Sequence, residues 1–126
     1  MLDHAGLNVR DIAAARRFYE ETLAPLGYTL AVDGGEYLGF RSADGELDFW
    51  LAQRGEPSAG THIAFRARDR AAVDAYHRAA LAAGGTDNGA PGVRAEYHEH
   101  YYGAYVLDPA GNNVEAVCHG PAGGSS

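Results

Sequence analysis

Residues 3–11 read DHAGLNVRD and residues 61–69 read THIAFRARD, and this pair of segments decides the fold. His62 follows His4 at an offset of 58 residues. The same offset relates further identical residues, which are Arg10 and Arg68, Asp11 and Asp69, Leu23 and Leu81, and Gly27 and Gly85. The chain is therefore predicted to contain two copies of one supersecondary unit.

Each copy is predicted to begin with a strand that continues into a helix. From Leu2 to Val9, apolar residues alternate with His4, and Ile63, Phe65 and Ala67 alternate with His62 in the second copy. Because successive strand residues point to opposite faces, both histidines are expected on the face away from the large apolar side chains. Each helix is predicted to start after an aspartate N-cap and to end at glycine. These caps are Asp11 and Asp69, and the terminating glycines are Gly27 and Gly84-Gly85.

Three short extended runs with turn residues between them are predicted after each helix. They are Tyr28 to Val32, Tyr37 to Arg41 and Leu47 to Ala52, then Gly92 to Tyr97, Gly103 to Leu107 and Val114 to Cys118. The predicted fold class is α+β, with two βαβββ units that form a cupped sheet. We expect one domain over 1–119, with units at about 1–55 and 59–119, and a disordered tail over 120–126.

Composition narrows the possible functions. Apolar residues make up 46% and charged residues 21% of the chain, which is typical of a globular domain. The net charge is -7, and all ten basic residues are arginines scattered along the chain, so nucleic acid is an unexpected partner. The absence of lysine excludes Schiff-base chemistry. The single cysteine and the lack of a long apolar segment predict a cytoplasmic protein that neither enters nor spans a membrane.

Three motifs resemble the vicinal-oxygen-chelate superfamily, which includes glyoxalases, bleomycin-resistance proteins and extradiol dioxygenases. They are the DHAGLNVRD opening, the THIAF block at 61–65 and DPAGNNVE at 108–115. The resemblance covers about 118 residues and implies the paired-unit fold, a homodimer and a divalent metal. It implies His4, His62 and Glu115 as the metal ligands.

Two imidazoles and one carboxylate suit Fe, Mn, Zn, Ni or Co and leave coordination positions open for a substrate with adjacent oxygens. Glyoxalases of the superfamily carry a fourth ligand, a carboxylate on the last strand of the first unit. Counting from the preceding turn glycine, Glu115 matches Phe49, which cannot bind a metal. A four-ligand site would therefore need Asp48 or Glu46 to enter through a shifted register.

The segment from Tyr97 to Tyr105 contains two histidines and four tyrosines and is the best candidate for a pocket wall. His98 is predicted to transfer protons and Tyr102 to hydrogen-bond an oxyanion, so both are candidate catalytic residues. Arg66 and Trp50 are candidate substrate-binding residues. The competing interpretation is packing for the tyrosines and Trp50 and a salt bridge for Arg66. His77 is expected on the helix surface, and adjacent Cys118 and His119 are expected to point apart.

Two functions of different classes follow. The first is a metal-dependent enzyme, a lyase or isomerase or else a dioxygenase, acting on a small oxygen-rich molecule. The second is a metal-free protein that sequesters a drug or metabolite, as bleomycin-resistance proteins do. In that case we expect the three candidate ligands to be paired among themselves or with other protein groups.

Overall fold

The computed structural model describes residues 1–123 and contains eight strands and two α-helices within them. The first unit comprises β1 (Ala5–Asn8), α1 (Ile12–Leu23), a 3-10 turn (Ala24–Leu26), β2 (Thr29–Asp33), β3 (Tyr37–Arg41) and β4 (Leu47–Ala52). The second comprises β5 (His62–Arg66), α2 (Arg70–Ala82), β6 (Thr86–Val93), β7 (Tyr102–Leu107) and β8 (Asn113–Cys118). This arrangement confirms the α+β class and the two βαβββ units.

Each unit forms its own four-stranded sheet, and the two sheets have the same topology. The strand orders are β1-β4-β3-β2 and β5-β8-β7-β6. The first and last strands of each unit pair in parallel, whereas the remaining pairs are antiparallel. The strand that begins at His62, or directly after His4, therefore lies next to the last strand of its own unit.

The helices begin where the sequence predicts. The Asp11 carboxylate accepts hydrogen bonds from the backbone N–H groups of Ala13 and Ala14, and the Asp69 carboxylate accepts one from Ala72. These bonds satisfy N–H groups that have no partner within the helix. Gly27 ends the first helical segment at φ 88°, in the left-handed region where a side chain would be strained.

The helices and the inner sheet faces enclose one apolar core, and the outer sheet faces remain outside it. Helix α1 contributes Phe18, Tyr19 and Leu23, and α2 contributes Val73, Tyr76 and Ala80. The strands contribute apolar residues of their inner faces, among them Leu7, Leu38, Phe40, Phe49, Leu51, Phe65, Val106 and Val114. The alternation of the sequence thus assigns each sheet one packed face and one open face.

Strand β8 is held at its start by both helices. The buried carboxylate of Asp108 accepts a hydrogen bond from the Tyr19 hydroxyl of α1 at 2.6 Å and others from the backbone and side-chain N–H groups of Asn112. The Tyr76 hydroxyl of α2 donates to the Val114 carbonyl oxygen at 2.6 Å. The turn of the DPAGNNVE motif is therefore anchored on the core.

Two expectations about the second unit are wrong. Strand β6 spans Thr86–Val93 instead of 92–97, because backbone pairing to β7 maintains a strand in a polar, glycine-containing edge segment with register shifts around Gly89. His77 is buried and not exposed, and its Nε2 lies 3.0 Å from Asp87 Oδ1 at the start of β6. This contact supplies a partner for an imidazole on the packed side of α2.

Within residues 1–123, neither helix has the length and hydropathy that a membrane crossing requires. Part of the predicted tail, residues 124–126, lies outside the described residues. Gly120, at its start, is buried, and its backbone N–H donates to Cys118 Sγ at 3.4 Å.

Candidate functional site

The open face of the second sheet brings His62 and Glu115 together. Strands β5 and β8 pair in parallel with Ala64 opposite Glu115, so His62 reaches the carboxylate from the neighbouring strand. His62 Nε2 lies 2.8 Å from Glu115 Oε1. The Glu115 side chain is 1% exposed, whereas the His62 side chain is 54% exposed. A buried carboxylate is thus combined with an imidazole that is accessible from outside.

Tyr101 completes this pair, although the sequence analysis did not select it. Its hydroxyl donates a hydrogen bond to Glu115 Oε2. The Tyr101 ring lies over Gly103, where a Cβ atom would come within 3.2 Å of the ring and 3.4 Å of Glu115 Oε2. Burial, followed by the bond to Glu115, raises the pKa of the Tyr101 phenol above its ordinary value, so the phenol remains a donor at neutral pH.

His98 and His119 form a second imidazole pair beside Tyr101. The backbone N–H of His100 donates to His98 Nδ1 at 3.0 Å, so the proton of neutral His98 is on Nε2. His98 Nε2 lies 2.8 Å from His119 Nδ1, so His98 donates this hydrogen bond and His119 Nδ1 accepts it. Burial, then the charges of Arg66 and His98, lower the pKa of His119 and favour its neutral form. The two tautomers are therefore fixed by the hydrogen bonds.

Tyr102, the tyrosine selected from the sequence, lies on the opposite face of β7. Its hydroxyl donates to Asp74 Oδ1 of α2 at 2.6 Å, and the Arg70 guanidinium carbon lies 4.9 Å from the centre of its ring. Because alternate residues of β7 face the core, Tyr102 shares the helix side with Ala104 and Val106. Tyr102 therefore lies on the helix side of the sheet, away from Glu115, and Tyr101 is the tyrosine on the Glu115 side.

Trp50, not Phe49, is the counterpart of Glu115 in the first unit. Trp50 pairs with Gly6, two residues after His4, as Glu115 pairs with Ala64, two residues after His62. The count from the turn glycine failed because β3 and β4 pair irregularly, with Phe40 opposite Phe49 but Arg41 opposite Leu47. Asp48 is the extra residue of this bulge.

The candidates for a fourth ligand are directed elsewhere. Asp48 Oδ1 accepts a hydrogen bond from the Tyr28 hydroxyl at 2.8 Å, and Glu46 is exposed in the turn before β4. Trp50 lies across Gly39, where a Cβ atom would be 2.8 Å from the indole ring. The open face of the first sheet therefore carries an indole at the position where the second sheet carries a carboxylate.

His4 lies on the first sheet, apart from His62 and Glu115. Its Nδ1 is 2.8 Å from Asp3 Oδ1, and both side chains are exposed. In the part of the chain that the structure describes, no three His, Cys, Asp or Glu side chains are grouped as a metal site requires. The structure thus brings together two of the three predicted ligands within one chain.

Two open cavities border the predicted substrate-binding residues, Trp50 of the first sheet and Arg66 of the second. One of about 610 Å³ is lined by His4, Tyr37, Trp50, Gln53 and Arg54, among others. The other, of about 490 Å³, lies between the sheets, where His4 and Arg66 both contribute to its wall. Trp50 and Arg66 are therefore accessible, as substrate-binding residues must be.

The family model of the Glyoxalase/Bleomycin resistance protein/Dioxygenase superfamily matches residues 1–116. The chain belongs to this superfamily, as its motifs indicated. The superfamily name itself covers both enzymes and resistance proteins, so membership does not specify one reaction. A comparison with curated proteins gives no match.

Solved structures of the same kind resemble the chain over nearly its whole length. A glyoxalase/bleomycin resistance protein from Albidiferax ferrireducens T118 is 30% identical, with a TM-score of 0.81 over 96% of this chain and 99% of that one. A glyoxalase/bleomycin resistance protein/dioxygenase family enzyme from Burkholderia phytofirmans PsJN is 21% identical, with a TM-score of 0.71 over 91% and 95%. Lactoylglutathione lyase from Agrobacterium tumefaciens is 22% identical, with a TM-score of 0.65 over 93% and 92%. The last two likenesses concern the fold.

Proposed function

We propose that the protein is a metal-dependent enzyme that acts on a small oxygen-rich molecule by lyase, isomerase or dioxygenase chemistry. The observation that carries the proposal is the His62–Glu115 pair on the open sheet face, with 2.8 Å between His62 Nε2 and Glu115 Oε1. A carboxylate that is 1% exposed on a sheet face away from the core has no role in apolar packing. Its burial beside an accessible imidazole is typical of a functional site.

The spacing of this pair fits one divalent ion. Two metal–ligand bonds of about 2.1 Å at about 90° place their donor atoms about 3 Å apart. The observed separation of 2.8 Å is close to that value, so a metal could replace the shared proton without a large side-chain movement. One imidazole and one carboxylate suit Fe, Mn, Zn, Ni or Co equally, and the identity of the ion stays open.

We further propose that His4 of a second copy supplies the third ligand. His4 and His62 occupy equivalent positions in the two units, and each lies at an open sheet face. A two-fold pairing of chains would bring the His4 face of one copy to the His62 face of the other and would form two equal sites. The exposed Tyr37 beside the cavity of the His4 face would then be covered by the partner copy.

The remaining residues have roles that follow from their positions. When bound, the metal would polarise adjacent substrate oxygens and stabilise the negative charge that develops on them. Arg66, exposed on β5 beyond His62, would pair with a substrate carboxylate. Tyr105 lies opposite Glu115 on β7 and hydrogen-bonds Tyr101 and Glu115, so it would help to hold the carboxylate in place. His98 would move protons at the edge of the site, and Trp50 would provide a flat apolar wall from the other half-site.

Metal analysis of variants tests this proposal. Protein freed of metal by a chelator is incubated with Mn, Fe, Co, Ni or Zn, and the retained metal is measured beside that of His62→Ala and Glu115→Gln. We expect near-stoichiometric metal in the parent and its loss in both variants. His100→Ala is the matched control, because the His100 side chain lies outside the pair, with its Nε2 3.6 Å from Glu99 Oε1. Failure of the parent to retain any of these metals would refute the enzyme proposal.

A metal-free binding protein is the second candidate, and one observation favours it. Each predicted ligand has a protein partner, since His4 pairs with Asp3, and Glu115 pairs with both His62 and Tyr101. Binding would then depend on the aromatic surfaces of the two open faces. Trp50 is the only tryptophan, so its fluorescence reports directly on small aromatic ligands bound at that wall. A fluorescence change that is equal with and without metal would favour this candidate.

A further inference from the structure

We propose that Tyr101 is a positioning residue that holds Glu115 so that only one carboxylate oxygen, Oε1, is offered to the metal. This inference rests on the proposed metal-dependent function. It concerns a residue outside the three predicted ligands and specifies how many coordination positions the site leaves free for substrate.

The two oxygens of Glu115 have different partners. Oε1 faces His62 Nε2, and a metal would be bound between these two donor atoms. Oε2 accepts the hydrogen bond of the Tyr101 hydroxyl. Because the Glu115 side chain is 1% exposed, Oε2 cannot replace this bond by turning toward solvent. Tyr105 also hydrogen-bonds Glu115, but the loss of the Tyr101 hydroxyl would still remove one of the donors to a buried acceptor, which is costly.

Tyr101 is itself held from several sides. The rings of His98 and His119 each lie edge-on to the Tyr101 ring, with 5.5 Å between ring centres. The backbone N–H of His100 fixes the orientation of His98, and His98 in turn bonds His119. The absence of a side chain at Gly103 leaves the space in which the ring lies. The hydroxyl is therefore directed at Glu115 by the packing of both imidazole rings against the Tyr101 ring and by the space that Gly103 leaves.

The consequence for metal binding is that Glu115 would be a monodentate ligand, bound through Oε1 alone. A carboxylate that binds through both oxygens occupies two coordination positions, whereas one that binds through Oε1 alone occupies one. With His62 and one further imidazole, monodentate binding by Glu115 would leave coordination positions free for both oxygens of a chelating substrate. Groups that hydrogen-bond metal ligands typically contribute about 10- to 100-fold to metal affinity.

Co²⁺ binding by the complete protein tests the inference, with Tyr101→Phe as the variant and Tyr102→Phe as the matched control. Both changes remove one hydroxyl from adjacent tyrosines, but the Tyr102 hydroxyl contacts Asp74 on the opposite side of the sheet. The Co²⁺ dissociation constant and the visible absorption of bound Co²⁺ are measured. Six-coordinate Co²⁺ absorbs more weakly than four- or five-coordinate Co²⁺, so the band reports whether Oε2 joins the metal.

We expect Tyr101→Phe to weaken Co²⁺ binding about 10- to 100-fold and to lower the intensity of the visible band, while Tyr102→Phe leaves both unchanged. Gly103→Ala crowds both the Tyr101 ring and Glu115 Oε2 without removing the hydroxyl, and it should shift both quantities in the same direction. Thermal unfolding without metal verifies that each variant folds.

Equal affinity and an equal spectrum in the parent and Tyr101→Phe would overturn the inference alone. Equal losses in Tyr101→Phe and Tyr102→Phe would overturn it too, because the effect would then not be specific to Glu115. A parent that binds no Co²⁺ or other metal would instead refute the proposed function, and the inference with it.

Discussion

Trp50 of β4 and Glu115 of β8 occupy the same position in the two units. Each lies opposite the strand residue that follows a histidine by two positions, Gly6 in one case and Ala64 in the other. The equivalence identifies the position at which a fourth ligand would have to stand. It also explains why three ligands, at most, are available from residues at these positions.

Trp50→Glu is therefore expected to strengthen metal binding if two copies combine their open faces. A second carboxylate at this position would complete a four-ligand set and raise the affinity for Zn²⁺ about tenfold or more. Isothermal titration with Zn²⁺ measures the change against the parent.

Phe49→Glu is the control for that prediction. Phe49 is fully buried in the core, with its ring 5.1 Å from that of Phe65, so a carboxylate there would be buried without a partner. We expect loss of the folded state, measured by circular dichroism. A folded Phe49→Glu protein with tightened Zn²⁺ binding would show that Phe49, and not Trp50, faces the site.

Mixing two inactive variants tests whether His4 acts across chains. His4→Ala and His62→Ala should each bind no metal, yet refolding them together should restore about a quarter of the sites, because half of the dimers are mixed and each mixed dimer keeps one intact site. Metal content after gel filtration measures the recovery. No recovery in a protein that elutes as a dimer would contradict a site shared between two copies.

The anchor of β8 predicts a stability effect away from the site. Tyr19→Phe keeps the ring but removes the hydroxyl that donates to the buried Asp108 carboxylate at 2.6 Å. The buried Asp108 carboxylate keeps its bond from Asn112 Nδ2 but loses the short bond from Tyr19, which should lower the free energy of unfolding by about 1–3 kcal/mol. Urea unfolding followed by Trp50 fluorescence provides the measurement. Tyr37→Phe, a change at the exposed first residue of β3, should have a negligible effect.

The lowered pKa of His119 predicts how stability depends on pH. Below its ordinary value of 6.5, the unfolded chain takes up a proton that the folded chain does not, so the free energy of unfolding should fall as pH decreases from 6.5 toward the folded pKa. His119→Asn keeps an acceptor for His98 but cannot titrate, and it should reduce this slope. Urea unfolding of metal-free protein between pH 5 and 7 checks the sign. An unchanged slope would contradict the prediction.

The repeat explains why so much of the fold could be predicted from the sequence. Strand, cap and helix recur at one offset, so Asp11 and Asp69 supported each other as N-caps, and both hydrogen-bond as expected. Strand β6 has no such support. Its glycines and proline are typical of turns, and only pairing with β7 makes this segment extended.

The site was harder to predict because each strand residue points to one face of the sheet or the other, and the choice of site residues depends on knowing which. Ala104 and Val106 face the core, which places Tyr101, Gly103 and Tyr105 on the open face with Glu115. This alternation is visible in the sequence and could have selected Tyr101 over Tyr102. The same alternation from Glu115 through Val117 would have selected His119. The bulge at Asp48 is a different case, since one inserted residue changes the face without leaving a pattern in the sequence.

Substitutions at Trp50 and substitutions at Glu115 are expected to have different consequences. We expect Glu115 and its partners to tolerate little variation, because both oxygens of the carboxylate have hydrogen-bonding partners. Trp50 spans the opposite sheet against a bare glycine, so replacing it alters the shape of one wall while leaving the carboxylate cluster intact. Under the proposed function, substitutions at Trp50 in the first unit would therefore change which molecule the protein accepts, while the second unit would keep the proposed metal ligands.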